Sequence, residues 1–105
     1  MIFIELPLFQ RQVSFTDEAL RTVQGDILEN PLAGGVIPGG RGLRKLRVAF
    51  AGRGKRSSGR VIYYWWSNRD WCYLVFAYAK NVQEDLTPDQ MRRLADTMQE
   101  VIDHG

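Results

Sequence analysis

The residues best able to do chemistry in this chain are the lysines and arginines of one short segment. Eight of the 14 Lys and Arg residues lie between positions 41 and 60. They are Arg41, Arg44, Lys45, Arg47, Arg53, Lys55, Arg56 and Arg60. No Asp or Glu occurs from position 30 to position 69, so the rest of the chain carries six basic against 12 acidic side chains. A cationic surface on an otherwise acidic protein favours a polyanionic partner, with nucleic acid as the first candidate.

Clustered cations of this kind can hold a phosphodiester. Arginine is suited to this, because its planar guanidinium donates to two phosphate oxygens at once. A lysine amine accepts a proton near neutral pH only where burial or neighbouring positive charges lower its pKa, and a crowded basic cluster is such a place. If the ligand is RNA, its own 2′-hydroxyl can attack the adjacent phosphate, and the protein must move protons and stabilise charge. The bland alternative is a solvated basic face without a ligand.

Alternation along the basic segment predicts which side chains share a face. Between residues 43 and 50, one set is Leu46, Val48 and Phe50, and the other set is Lys45, Arg47 and Ala49. This period of two is typical of a strand, and it points Lys45 and Arg47 the same way. A second strand over residues 59–66 places Arg60, Ile62, Tyr64 and Trp66 on one face. A third strand over residues 71–79 follows a short turn, so the three strands are predicted to form an antiparallel meander.

Helices are predicted before and after this meander. Residues 2–4 favour a short first strand, Pro7 can begin a short helix, and a second helix is predicted to begin near Thr16. The sequence TPDQ at 87–90 has the pattern of a capping box with proline at the first helical position, which predicts a C-terminal helix. The predicted fold class is therefore α+β in one domain, residues 1–105. Its antiparallel sheet has about four strands, packed by two N-terminal helices and one C-terminal helix.

Composition disfavours several other classes of protein. The single cysteine, Cys72, cannot form an internal disulfide, and this favours a reducing cytoplasm. Cys72 alternates with Leu74 and Phe76, as expected of an inert strand residue. With one cysteine and one histidine, no metal site and no cofactor are expected. No apolar run approaches the roughly 20 residues of a membrane span, and the N-terminus lacks the basic region of a secretory signal, so no membrane partner is expected.

The aromatic residues of the second and third meander strands have two candidate roles. Exposed aromatic rings can stack on the bases of single-stranded RNA. Aromatic residues that alternate along neighbouring strands are more often core residues or cross-strand pairs. We expect core positions for most of them and retain Tyr64 and Tyr78 as candidate base-stacking residues.

Three segments carry a likeness to known toxins: GLRKLRVA, GRGKRSSGRVIYYWW and YLVFAYAKNVQEDLTPDQ. They resemble the RelE/ParE superfamily and, within it, the HigB branch of RelE-like toxins. The resemblance implies the toxin half of a type II toxin–antitoxin pair, in which RelE-like members cleave mRNA in the ribosomal A site and ParE-like members block DNA gyrase. It also implies a cognate antitoxin, HigA-like with a helix-turn-helix DNA-binding domain, and the ribosome and mRNA as further partners.

Residue by residue, the resemblance places the family's basic pair on Lys45 and Arg47, its strand-start arginine on Arg60 and a further basic position on Lys80. We expect these four residues to form a metal-independent endoribonuclease site. Arg47 and Arg60 would hold the scissile phosphate, Lys45 would assist proton transfer, and Lys80 would complete the cationic site. The expected contacts with RNA or the ribosome are Arg44, Arg53, Lys55, Arg56, Tyr64 and Tyr78.

The sequence departs from the RelE pattern directly after Lys80. A second basic residue and a tyrosine often follow there, whereas this chain has Asn81, Val82 and Gln83. The resemblance therefore does not assign the proton acceptor. A gyrase-inhibiting toxin of the same fold and a non-catalytic RNA-binding module remain as alternatives.

Overall fold

A mixed β-sheet with helices on both faces forms the body of the protein. The computed structural model describes residues 1–11, 16–49 and 58–104. The strands in these ranges are β1 (Ile2–Glu5), β2 (Gly35–Val36), β3 (Arg44–Ala49), β4 (Ser58–Trp66) and β5 (Trp71–Ala79). The helices are α1 (Pro7–Gln10), α2 (Asp17–Glu29) and α3 (Pro88–His104). The α+β class predicted from the sequence is confirmed.

The order of the strands in the sheet is β1-β5-β4-β3-β2. The antiparallel meander of β3, β4 and β5 is present as predicted. However, β1 pairs in parallel with β5, and the two-residue β2 adds an antiparallel edge to β3. The described sheet is therefore mixed and has five strands, and the prediction of an antiparallel sheet of about four strands is corrected on both points. A parallel pair joins segments far apart in sequence through a long crossover, and two residues are too few to show alternation.

A β-bulge in β5 decides which of its side chains face which helix. The register between β4 and β5 shifts by one residue next to Ile62, which leaves Val75 as the extra residue. Cys72 and Leu74 consequently pack on the α2 face of the sheet, whereas Phe76 packs on the α3 face. The shared face predicted for these three residues is wrong for Phe76, because counting by alternation assumes a strand without an extra residue.

Two layers of buried side chains lie on opposite faces of the sheet. Val23 and Ile27 of α2 pack against one layer, and Leu94 and Met98 of α3 pack against the other. Each large apolar side chain that is fully buried contributes about 1.5–3 kcal/mol relative to its exposed state. The apolar stripes of the two long helices thus hold them on opposite faces of the sheet.

Side-chain caps fix where both long helices begin. Thr16 Oγ1 accepts from the amide of Ala19 at 3.0 Å. At α3, Thr87 Oγ1 accepts from the amide of Gln90, and Gln90 Oε1 accepts from the amide of Thr87, both at 3.0 Å. These bonds pair amides that a helix start otherwise leaves without a partner, so the predicted capping box is confirmed. None of the described helices combines the length and the apolar character needed to cross a membrane.

The loop before β3 is held against the sheet by one buried tyrosine. The hydroxyl of Tyr63 donates to the carbonyl of Pro31 at 2.8 Å and accepts from the amide of Gly34 at 2.9 Å. Burial is the main cause of the raised pKa of Tyr63. A Cβ at Gly34 would lie 2.8 Å from the Tyr63 ring, so this close approach requires glycine. The anchored loop carries β2 to its place beside Lys45, with which Gly35 is paired.

Candidate nucleic-acid interface

Three adjacent strands place a row of polar side chains on the α3 face of the sheet. Arg47 of β3 lies directly opposite Arg60 of β4, and Arg60 lies opposite Tyr78 of β5. Side chains directly opposite each other on one face have Cβ atoms about 4.5–5.5 Å apart. We call Arg47, Arg60 and Tyr78 the cationic row. It brings together two residues that the sequence analysis assigned to a phosphate.

The two arginines of the cationic row have no carboxylate partner among the described residues. Arg47 is exposed, and its guanidinium makes no hydrogen bond or ion pair within those ranges. Arg60 is half-buried, and its guanidinium donates to the carbonyl of Gly59 at 2.9 Å. Like charges directly opposite on a sheet destabilise it. This arrangement therefore leaves positive charge free to bind an anion.

Lys45 lies on the same face, two residues before Arg47, but its charge is compensated. Its Nζ lies 3.1 Å from Oδ1 of Asp85. The same oxygen accepts from the amide of Leu86 at 2.8 Å and lies 3.4 Å from the hydroxyl of Tyr78. The hydrogen bond from the Leu86 amide, followed by that from Lys45, lowers the pKa of Asp85. Lys45 and Asp85 thus form an ion pair at one side of the cationic row.

Tyr78 contributes its hydroxyl to the site more than its ring. It is 6% exposed, so little of the ring is open to a nucleotide base. Burial, followed by the nearby Asp85 carboxylate, raises the pKa of Tyr78 to about 12. The phenol therefore stays protonated at neutral pH and acts as a hydrogen-bond donor, which differs from the stacking role expected from the sequence.

Lys80 and Tyr64 lie near the cationic row. Lys80 is exposed and follows the last residue of β5, and its amide donates to the carbonyl of Ser58 at 2.8 Å. That bond keeps Lys80 beside the first residues of β4, close in sequence to Arg60. Tyr64 is half-buried against the α3 face and closely approaches Gly42, which has a φ of 96°. Its ring is thus partly occupied by contacts within the protein.

Other predicted contacts lie apart from the row or cannot be placed. Arg44 alternates to the α2 face, where it is paired with Tyr63 across the strands, and its Nη1 donates to the carbonyl of Gly34 at 2.8 Å. It braces the loop before β3 from the opposite side of the sheet. Arg53, Lys55 and Arg56 lie outside the described residues.

The sequence analysis missed Asp85. One signal for it is available in the sequence: residues 30–69 contain no acid, and Asp85 lies in the short segment that leads back from β5 to the capping box of α3. A segment that turns back at the end of β5 must pass beside the basic face. An acidic residue there is placed to pair with one of the cations.

The described groups of the row suit an anionic ligand. Guanidinium groups and a protonated phenol are all donors, and phosphate oxygens are acceptors. In the ranges that the structure describes, no three His, Cys, Asp or Glu side chains lie close enough together to hold a metal ion. The chemistry that this row can perform is the binding of a phosphate and the stabilisation of charge on its oxygens.

A cleft of about 350 Å³ opens beside Lys45. It lies between β2, with the residues that follow it, and the first turn of α3. Val36, Pro38, Leu86 and Met91 give it apolar walls, and Lys45 and Asp85 give it a charged edge. The cleft and the cationic row are therefore neighbours that share one strand, β3.

Comparison with known protein families places this architecture in one of them. The family model described as the RelE toxin of the RelE / RelB toxin-antitoxin system matches residues 6–104. The match includes all three helices and every described strand except β1, and it contains the cationic row as well as the Lys45–Asp85 pair.

Proposed function

Since the chain belongs to the RelE toxin family, we propose that it is a ribosome-dependent mRNA endoribonuclease that inhibits translation. Membership makes it the toxin of a type II toxin–antitoxin system and implies a cognate antitoxin. RelE family toxins are generally endoribonucleases. The observation that carries the proposal is the pair Arg47 and Arg60, which face each other without a carboxylate partner among the described residues.

In the proposed reaction, the 2′-hydroxyl of RNA releases its proton to solvent water, and its oxygen forms a bond to the adjacent phosphorus. The bond from phosphorus to the 5′-oxygen of the next nucleotide breaks, and that oxygen takes up a proton. The products are a 2′,3′-cyclic phosphate and a 5′-hydroxyl. Negative charge builds on the non-bridging phosphate oxygens during attack, and Arg47 and Arg60 bind those oxygens. Removing one such donor from a preorganised site costs about 10²–10³ in rate in other enzymes.

Lys45 is assigned to the departing 5′-oxygen, as a proton donor. The ion pair with Asp85, whose Oδ1 lies 3.1 Å from the Lys45 Nζ, holds this amine in place beside the cationic row. A charged amine can give a proton but cannot accept one. Lys80 adds a further positive charge beside the start of β4, and the Tyr78 hydroxyl adds a neutral donor.

The same geometry supports dependence on the ribosome. The pKa of the Tyr78 phenol is raised to about 12 and that of the Asp85 carboxylate is lowered, so neither group is a base matched to neutral pH. Cleavage must then depend on substrate alignment, which can supply a large part of a barrier. We expect the ribosome to supply it, with Arg44, Arg53, Lys55, Arg56 and Tyr64 as candidate contacts to ribosomal or messenger RNA.

The cellular setting follows from this proposal. We assign the chain to the HigB branch, with a HigA-like antitoxin that carries a helix-turn-helix DNA-binding domain, and with action in the cytoplasm, where ribosomes are present. The antitoxin is expected to be acidic or partly disordered, and the positive charge of the cationic row offers it an electrostatic target.

The test is brief expression in cells, with pulse-labelling of DNA, RNA and protein and with sequencing of mRNA 5′ ends. We expect protein synthesis to stop first and new ends to appear within translated codons. Arg60→Ala should remove both effects, and Arg69→Ala, which changes an arginine of the β4–β5 turn, serves as the matched control. Activation of the DNA-damage response while translation continues would identify a gyrase inhibitor instead. Binding to RNA without new mRNA 5′ ends would identify a non-catalytic RNA-binding module.

A second assay examines the dependence on the ribosome. Purified toxin should cleave mRNA in programmed ribosomes and should leave the same mRNA largely intact when it is free. Equal rates on the two substrates would contradict the proposed lack of a matched base.

A further inference from the structure

The cleft beside Lys45 has the chemistry of a site for a flat heterocycle. Val36, Pro38 and Met91 supply apolar surface on two sides, and Lys45 and Asp85 supply a donor and an acceptor at one edge. Its volume of about 350 Å³ lies at the small end of the range for ligand pockets, roughly 300–1,000 Å³. A single nucleotide base matches both the size and this combination of apolar faces with a polar edge.

One oxygen of Asp85 is available to such a ligand. Oδ1 is shared by Lys45, Leu86 and Tyr78, whereas Oδ2 makes no hydrogen bond with any described residue. The Asp85 side chain is 65% exposed. A carboxylate oxygen accepts from an exocyclic amino group, as in the pairing of Asp or Glu with the N4 amine of cytosine. Adenine and guanine also present an amino group, whereas uracil does not.

The charges separate the cleft from the phosphate site. The Asp85 carboxylate repels a phosphate, and the Lys45–Asp85 pair is neutral as a whole. Arg47 and Arg60 lie nearby without a carboxylate partner in the described ranges. A phosphate is therefore expected to bind at the cationic row, and a neutral polar group is expected to bind in the cleft.

The spacing along β3 relates the two sites to one RNA strand. Lys45 and Arg47 are two residues apart, about 7 Å along the strand. The proposed function puts the scissile phosphate at Arg47 and the leaving 5′-oxygen at Lys45. That oxygen belongs to the nucleotide on the 3′ side of the cut, so the base of this nucleotide lies within reach of the cleft.

We infer that the cleft binds the base on the 3′ side of the cleaved bond and prefers a base with an exocyclic amino group. The inference rests on the proposed function and names the determinant of its sequence preference. Asp85 is the specificity residue, and Val36, Pro38 and Met91 hold the faces of the base.

Asp85→Asn is the sharpest variant for testing this site. The amide oxygen can retain the contacts of Oδ1, while the open acceptor Oδ2 is replaced by an NH₂ donor. We expect the wild type to cut mostly before A, C or G. Cleavage by the variant should shift toward sites with uracil on the 3′ side, because the O4 atom of uracil accepts from the new NH₂ group. The ratio of cuts before uracil to cuts before amino-bearing bases should rise about tenfold, since a good polar pair discriminates by about 1–3 kcal/mol.

The readout is the base on the 3′ side of each cut in ribosome-bound mRNA, counted by sequencing the new ends. This distribution does not move when a variant is only less stable or slower. Glu84→Gln is the matched control, since Glu84 is the neighbouring exposed carboxylate and does not line the cleft. Met91→Ala is a second variant of the same cleft. Because it removes part of an apolar wall that holds the base, it should raise KM about tenfold with little change in kcat.

The outcomes separate the two proposals. Absence of cleavage by the wild type would overturn the proposed function itself. Cleavage by Asp85→Asn with the base distribution of the wild type, together with an unchanged KM for Met91→Ala, would overturn the cleft assignment and leave the nuclease intact. If these variants instead keep the distribution and lose antitoxin affinity, the cleft is an antitoxin contact, and the inference is equally overturned.

Discussion

An arginine lies at each end of the β4–β5 hairpin, and the two have different surroundings. At the turn, the Arg69 guanidinium lies 4.3 Å from the centre of the Trp66 ring and 5.2 Å from that of Trp71. The neighbouring Asp70 accepts from Trp65 Nε1 at 3.2 Å and pairs with the N-terminal amine at 3.3 Å. At the opposite end, Arg60 faces Arg47.

This difference separates a structural use of arginine from a ligand-binding use. Over the faces of tryptophan rings, a guanidinium gains cation–π stabilisation. Opposite another arginine, it lowers the stability of the sheet and gains energy only when an anion arrives. The comparison therefore predicts that variants at the two ends change different properties, activity at the row and stability at the turn.

The largest expected effect is that of Arg60→Ala. Loss of a guanidinium that binds the phosphate oxygens should lower the rate of mRNA cleavage on the ribosome by about 10²–10³-fold. Arg60→Lys should recover part of it, because lysine keeps the charge but loses the two-pronged geometry. Single-turnover cleavage measures both, and a rate for Arg60→Ala within threefold of the wild type would remove Arg60 from the site.

Arg47→Ala should lower activity without lowering stability. Arg47 is exposed, and its removal relieves the repulsion from Arg60 across the strands. We expect cleavage to fall at least about tenfold, and the free energy of unfolding to stay level or rise by a few tenths of a kcal/mol. Urea denaturation checks the second part, where a loss above about 1 kcal/mol would show that Arg47 has a structural partner.

Arg69→Ala should have the opposite effects. Removing the guanidinium from the Trp66 and Trp71 rings is expected to destabilise the protein by about 0.5–1 kcal/mol. Cleavage should match that of the wild type, because the turn lies at the far end of β4 from the row. A drop in cleavage with unchanged stability would mean that both ends of the hairpin contact RNA, and the comparison would fail.

Local patterns in the sequence were enough to predict much of the geometry of the candidate site. The parity of Lys45 and Arg47 depends only on strand alternation, and their proximity to Arg60 follows from two strands that are consecutive in the chain. The capping box likewise depends on four adjacent residues, and it marks the start of α3 correctly. Each of these features is set within a few residues, so the sequence shows it directly.

Features that depend on distant segments could not be predicted in this way. The extra residue Val75 lies in an unbroken apolar strand, and nothing in its neighbours marks the bulge that turns Phe76 to the α3 face. The partnership of Asp85 with Lys45 depends on the path of the chain between β5 and α3, 40 residues away in sequence. That partnership also bears on the proposed chemistry, because it places a carboxylate beside the amine that the sequence analysis expected to assist proton transfer.

The smallest effect tests that partnership through pH. The pKa of Asp85 is lowered in the folded protein, so its contribution to stability is present above its unfolded value of about 3.9 and is lost as pH falls through the lower folded value. Solvent screens this largely exposed pair, which limits the contribution to less than about 1 kcal/mol. The stability gap between the wild type and Asp85→Asn should thus be small near pH 7, begin to shrink as pH falls below about 4, and vanish below the lower folded pKa of Asp85. A gap that does not change with pH would mean that Lys45 is unpaired in solution. Lys45 would then join Arg47 and Arg60 as an uncompensated cation, and the proposed proton donor would have no carboxylate beside it.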